Sequence, residues 1–240
     1  MKVIVCKDYD DMSKKASEMV ISHMQEKPET KFGFATGSSP EGLYKYLVKA
    51  QQEGEISFKY AKCVNLDEYV GFDPKDEQSY AYFMYHNLFD HVNIKKENIH
   101  LPYAKENDEK YALEYRKVLD DFGQRDIQIL GMGTNGHIAF NEPGDKLNRR
   151  ASIVSLTEET IGSNARFFEN KDDVPKFALS MGIAEVFDAK TIIVLASGKD
   201  KHKAIKKLID EETVYTQLPV SLLTVHPNVY IFVDEEAYQG

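Results

Sequence analysis

The stretch from Phe32 to Tyr44, FGFATGSSPEGLY, decides the reading of the chain. It leaves a short apolar run, passes Thr36, Gly37, Ser38 and Ser39, and enters an amphipathic segment carrying Leu43, Tyr44 and Leu47. Pro40 suits a first helical turn, where its missing N–H costs nothing. Gly37 allows a tight turn, and successive amides with the Thr36, Ser38 and Ser39 hydroxyls can surround an anion at the positive end of a helix. Taken alone, the same Ser and Thr residues also fit an ordinary helix cap. The loop lacks the Gly-Lys-Ser/Thr ending of a nucleotide P-loop and the spacing of a dinucleotide fingerprint, which favours a sugar phosphate.

The strand–loop–helix pattern recurs. Apolar runs at Val3–Val5, Phe32–Ala35, Cys63–Leu66, Ile127–Leu130, Ile192–Ala196 and Val229–Val233 alternate with amphipathic segments at Tyr9–Gln25, Pro40–Gln52, Asp108–Phe122 and Asp200–Ile209. Such alternation predicts an α/β fold with a mostly parallel sheet covered by helices. No repeat or linker divides residues 1–240, so a single domain is expected. In an open sheet of this kind ligands bind beyond the carboxyl ends of strands, which directs attention to the loops there.

Two further loops carry unusual chemistry. Residues 63–71, CVNLDEYVG, place Asp67 and Glu68 where an apolar run ends. A carboxylate there, strengthened as a base by partial burial, suits proton abstraction beside a carbonyl; in isolation an acidic pair is more often a solvated turn. Residues 130–144, LGMGTNGHIAFNEPG, surround His137 with three glycines and place Glu142 five residues on, within reach to orient or charge-stabilise the imidazole. No Cys or second His stands at ligand spacing from His137, so no metal or other cofactor is expected. There is no Gly-x-Ser-x-Gly elbow to suggest a serine nucleophile.

Bulk properties narrow the classes. The chain has 240 residues, 42% hydrophobic and 29% charged, with a formal net charge of −9. That balance disfavours nucleic-acid binding, which needs clustered cations. No apolar run approaches the roughly 18 residues that would span a bilayer, and the first residues read as a strand rather than a secretory leader. Cys6 and Cys63 read as reduced core thiols, and a cytoplasmic protein is expected.

In combination, ATGSSPEG, NLDEYVG, LGMGTNGHIAFNEPG, SNARFF and GKDKHKAI resemble the glucosamine-6-phosphate deaminase family, in order and over nearly the whole chain. The resemblance implies a Rossmann-like three-layer sandwich acting on a small sugar phosphate. It implies that Asp67 moves a proton from the second carbon to the first, and that His137 opens the pyranose ring. Asn135 and Glu142 would hold the imidazole; many members carry Asp at the first of these, which makes the pH dependence here a question. Thr36, Gly37, Ser38, Ser39, Arg166 and Lys201 would hold the phosphate, with Glu68 and Gly136 also at the substrate site. The compact chain resembles the shorter members, favouring a monomer over a homo-oligomer. Residues 144–150 and 168–176 are long enough to cover a sugar. The competing readings are a 6-phosphogluconolactonase, which has no need of a carbon base at Asp67, and a noncatalytic sugar-phosphate sensor.

Overall fold

The computed structural model describes residues 1–165, 168–170 and 173–240. Among these, seven strands form one parallel sheet: β1 (Lys2–Cys6), β2 (Lys31–Phe34), β3 (Lys62–Asn65), β5 (Ile99–His100), β6 (Arg125–Gly131), β9 (Ala189–Ala196) and β10 (Val229–Asp234). The three-layer sandwich is present as expected, and its six longer strands each contain one of the apolar runs read from the sequence or most of it. Side-chain alternation explains the layers. On β9, Ile193 and Leu195 join the cluster under α1 (Tyr9–Glu26) and α2 (Ser38–Gln52), while Ile192, Val194 and Ala196 join the opposite cluster with α4 (Glu109–Phe122) and α7 (His202–Asp210). Both faces are covered, so strand residues are apolar on both sides.

A smaller antiparallel sheet, β4 (Asp67–Tyr69), β8 (Phe177–Ser180) and β7 (Ser152–Ser155), was not legible in the sequence. It pairs three short segments far apart in the chain, a relation that local patterning does not encode. Among the described residues the remaining α-helices are α3 (Tyr80–Asn87), α5 (Glu158–Asn164), α6 (Ile183–Phe187) and α8 (Glu235–Gln239).

The order of the main sheet is β1-β10-β9-β6-β2-β3-β5. From β2 the chain proceeds to β3 on one side; from β6 it proceeds to β9 on the other. The carboxyl ends of these two neighbours therefore flank the topological switch point, where connections diverge and leave a crevice. Their pairing is close: a side chain at Gly33 would place its Cβ 1.9 Å from Oε1 of buried Gln128 on β6. Above that contact β2 is anchored by Phe34, which stacks on Phe32 at 5.0 Å and meets the edge of Tyr44 at 5.5 Å. The Tyr44 hydroxyl donates to the Ala35 carbonyl at 2.6 Å, fixing the strand where it becomes the Gly37 loop.

Removing the fully buried Phe34 ring leaves a cavity beneath that loop. Phe34→Ala is expected to lower the unfolding free energy by about 3–5 kcal/mol, measurable by urea denaturation.

Candidate active site

A cavity of roughly 870 Å³ occupies the switch-point crevice, lined by residues from the ends of β2, β6 and β9, from β4, and from α5. Its volume lies within the range of small-molecule sites.

The end of β2 supplies Thr36, Gly37, Ser38 and Ser39, all lining the cavity. Gly37 has φ +91°, a conformation that favours glycine, and stands immediately before α2. The helix starts two residues earlier than periodicity indicates, so Ser38 and Ser39 occupy its first turn and Pro40 follows them. Gly37 makes no side-chain cap there, so the positive end of α2 opens at the cavity wall. Across the crevice, the turn after β9 brings in Lys199 and Lys201. This turn is held from behind: Asp234 accepts the Gly198 N–H at 3.0 Å and the Ser197 hydroxyl. Arg166 lies outside the described residues.

Asp67 arrives by a different route. Leu66 joins the two sheets, its N–H bonded to the Phe34 carbonyl at 3.0 Å and its carbonyl accepting the Met181 N–H at 2.8 Å. The chain then turns into β4, where Asp67 faces Ser180 in the antiparallel ladder. Asp67 is therefore a strand residue rather than part of a loop. It is 7% exposed, and burial, reinforced by the neighbouring Glu68 charge, pushes its carboxyl up to about 8. Nothing among the described residues donates a hydrogen bond to it.

Glu68 does not line the cavity. Its side chain accepts N–H groups from Tyr69 and Tyr80 at 2.9 Å and from Ala81 at 2.8 Å, closing the start of α3. Burial raises its carboxyl from the usual value, and those three amides oppose the rise. A strand sends adjacent side chains to opposite faces, so only one of the pair can enter the crevice.

The loop after β6 is built around His137, which lines the cavity. Gly133 makes room for it: a Cβ there would lie 2.3 Å from the imidazole Cε1. The absent Cβ at this glycine thus makes room for the imidazole itself. Gly136 has φ +82° and contributes through its backbone, its carbonyl accepting the Val220 N–H at 2.8 Å; it does not line the cavity. Two residues beyond His137, Ala139 stands at φ +50°, strained for a residue with a side chain.

Glu142 sits behind the ring, with Oε2 3.3 Å from His137 Nδ1. Among the described residues the buried Nδ1 has no hydrogen-bond partner of proper geometry. Asn135 donates from Nδ2 to the same Oε2 at 2.9 Å and accepts the His137 backbone N–H at 3.1 Å. It therefore holds Glu142 and the backbone of His137, not the ring. Burial opposes ionisation of Glu142, yet the His137, Thr160 and Asn135 contacts outweigh it and hold the carboxyl down at about 2.

Sequence reading missed α5, whose Glu159, Thr160, Ser163 and Asn164 line the cavity, and Tyr80, which lines it beside Asp67. The capping run Thr157-Glu158-Glu159-Thr160 was the available signal for the helix. Residues 144–150 do not line the cavity; several of them border a separate groove with Ile183 and Phe187. The other expected cover, residues 168–176, is described only in part.

With this geometry in place, relatives can be compared. The model of the glucosamine-6-phosphate isomerase/6-phosphogluconolactonase family matches residues 8–231. The chain belongs to this family. A glucosamine-6-phosphate deaminase of Thermoanaerobacter pseudethanolicus is 47% identical over 238 residues, covering 99% of this chain and 94% of that protein. One from Clostridioides difficile is 46% identical, with 99% and 95% covered. A solved structure of a monomeric glucosamine-6-phosphate deaminase superposes with a TM-score of 0.95 at 39% identity, covering 99% of this chain and 98% of the other. The 6-phosphogluconolactonase of Thermotoga maritima shares the fold, with a TM-score of 0.77 at 19% identity and 98% and 99% covered. The family therefore spans both chemistries, and the higher identities lie with the deaminases.

Two outcomes follow from the geometry. Gly133→Ala forces the imidazole out of its seat, and a displacement near 1 Å is expected to lower kcat about 100-fold while circular dichroism stays native. Asp67 is more easily protonated folded than unfolded, so its ionisation destabilises the fold progressively as pH rises from about 4 to about 8. Thermal unfolding is expected to show Asp67→Asn equal to the native chain near pH 4 and more stable than it at pH 8.

Proposed function

We propose that this protein converts glucosamine 6-phosphate and water to fructose 6-phosphate and ammonia. The observation that carries the reading is a buried Asp67 carboxyl, with no hydrogen-bond donor among the described residues, in the same cavity as His137, which Glu142 backs, and the start of α2. The full-length identity to deaminases supports the same choice.

The phosphate is held by the Ser38 and Ser39 turn with Thr36 and Gly37, and by the cation of Lys201 across the crevice. Arg166 is assigned to the same group by resemblance. His137, its imidazolium stabilised by Glu142, moves the proton that opens the pyranose and exposes the aldehyde at C1. That carbonyl acidifies the C2 proton. Asp67 takes it, giving a C1–C2 enolamine, and returns it to C1. The resulting iminium at C2 adds water and releases ammonia as the ketose forms.

The raised Asp67 carboxyl suits the base that this sequence needs, since a base works best with its pKa close to the operating pH. The C2 ammonium of the bound substrate brings a positive charge toward it and favours the ionised form. A lactone hydrolase needs no proton abstraction from carbon and gives no reason to bury an unpaired carboxylate here. We also infer that the protein acts as a monomer in the cytoplasm; among the described residues no helix is long and apolar enough to cross a membrane.

The decisive assay couples ammonia release to fructose 6-phosphate detection, with C2-deuterated substrate in parallel. The native chain is expected to release ammonia and remove the label from C2, delivering it to C1 or to solvent, with kcat/KM rising as pH approaches about 8. Asp67→Asn is expected to lose both signals. Hydrolysis of 6-phosphogluconolactone without label loss would assign the lactonase reaction instead.

A further inference from the structure

We propose that Thr160 is a positioning residue for this reaction, its buried hydroxyl fixing the Glu142 carboxylate against the His137 imidazole. The proposal rests on the deaminase reading for the role of His137, and on separate geometry for everything else.

The contact between His137 Nδ1 and Glu142 Oε2 does not hold itself. At 3.3 Å and without hydrogen-bond geometry it gives the carboxylate little direction. A carboxylate rotates readily about its terminal torsion, where the energy wells are broad. Orientation must therefore come from the other partners. Asn135 Nδ2 grips Oε2 at 2.9 Å, and Oε1 is gripped by the Thr160 hydroxyl. A carboxylate fastened at both oxygens has a fixed plane; one fastened at Oε2 alone is free to swing.

The direction of the Thr160 bond is settled by its neighbours. Glu142 is ionised and only accepts, so the proton belongs to Thr160. The Thr157 hydroxyl donates to Thr160 Oγ1 at 3.2 Å, which occupies a lone pair and leaves the single Thr160 proton to point at Glu142. The helix does not need this hydroxyl for its own start. Thr157 caps α5 by accepting the Thr160 backbone N–H at 3.2 Å. Thr160 is 3% exposed and lies 18 residues beyond Glu142, so the bond is a tertiary one between α5 and the loop after β6.

The test compares Thr160→Val, which keeps the shape and loses the hydroxyl, with Thr160→Ser, which keeps the hydroxyl. The His137 ring nitrogens are followed by 15N NMR, assigned by comparison with His137→Gln, alongside kcat and KM. In Thr160→Val the ring signals are expected to move toward a mixture of tautomers. kcat should fall about tenfold, the scale of one charge-assisted hydrogen bond, with KM changed less than about twofold. Thr160→Ser is expected to restore both. Unchanged ring signals in Thr160→Val would overturn the proposal, whatever happens to activity. Failure of Ser to restore them would assign the effect to the methyl group. Thr160→Ala gives the same readings if Val crowds the carboxylate. Absence of ammonia release from the native chain would defeat the deaminase reading, while the ring signals would still judge Thr160.

Discussion

The parallel pairing of β2 with β6 is the constraint from which the rest of the site follows. Phe32 stands opposite Ile127 and Gly33 opposite Gln128, and beyond this short ladder the two strands lead in opposite directions across the sheet. Divergence of the connections opens a crevice that no helix can fill. The pairing places two loops at its rim, one with small hydroxyl residues at a helix start and one with an imidazole. A third contributor, β4, reaches the rim because Leu66 is hydrogen-bonded to both sheets. Chemistry carried on three separate segments thus depends on one register.

The two carboxylates of the site are set apart by their surroundings. Asp67 is buried with no donor among the described residues and is raised to about 8, while Glu142 is buried among donors and is held at about 2. The same functional group can therefore take and return a proton in one place and serve as a permanent negative charge in the other. Neutral Asn135 contributes to this contrast. Its amide donates to Glu142 at a point where a second carboxylate would repel it, so one permanent charge faces the imidazole rather than two. Nearby, Gly133 shows the steric side of the arrangement, since the ring occupies the space its side chain would fill.

Legibility differed by element. The strands of the parallel sheet were readable because residues buried on both faces form continuous apolar runs, as in Ile192–Ala196. Helix α2 was readable from Pro40 onward, and its first two residues were not, because Ser38 and Ser39 look alike as loop or first turn. The sheet of β4, β7 and β8 was invisible, since its strands of three and four residues carry no period of their own. Glu68 was grouped with Asp67 by adjacency, yet the strand turns it toward the start of α3.

The sequence by itself determined the layered architecture and the residue types available for catalysis, because periodicity, glycine placement and short motifs act over a few residues. Only the tertiary structure decided which of those residues share a cavity, which way each carboxylate faces and what holds it. Thr160 reaching Glu142 and the burial of Asp67 in the crevice wall are relations between distant segments, and they exist only once packing has chosen their neighbours.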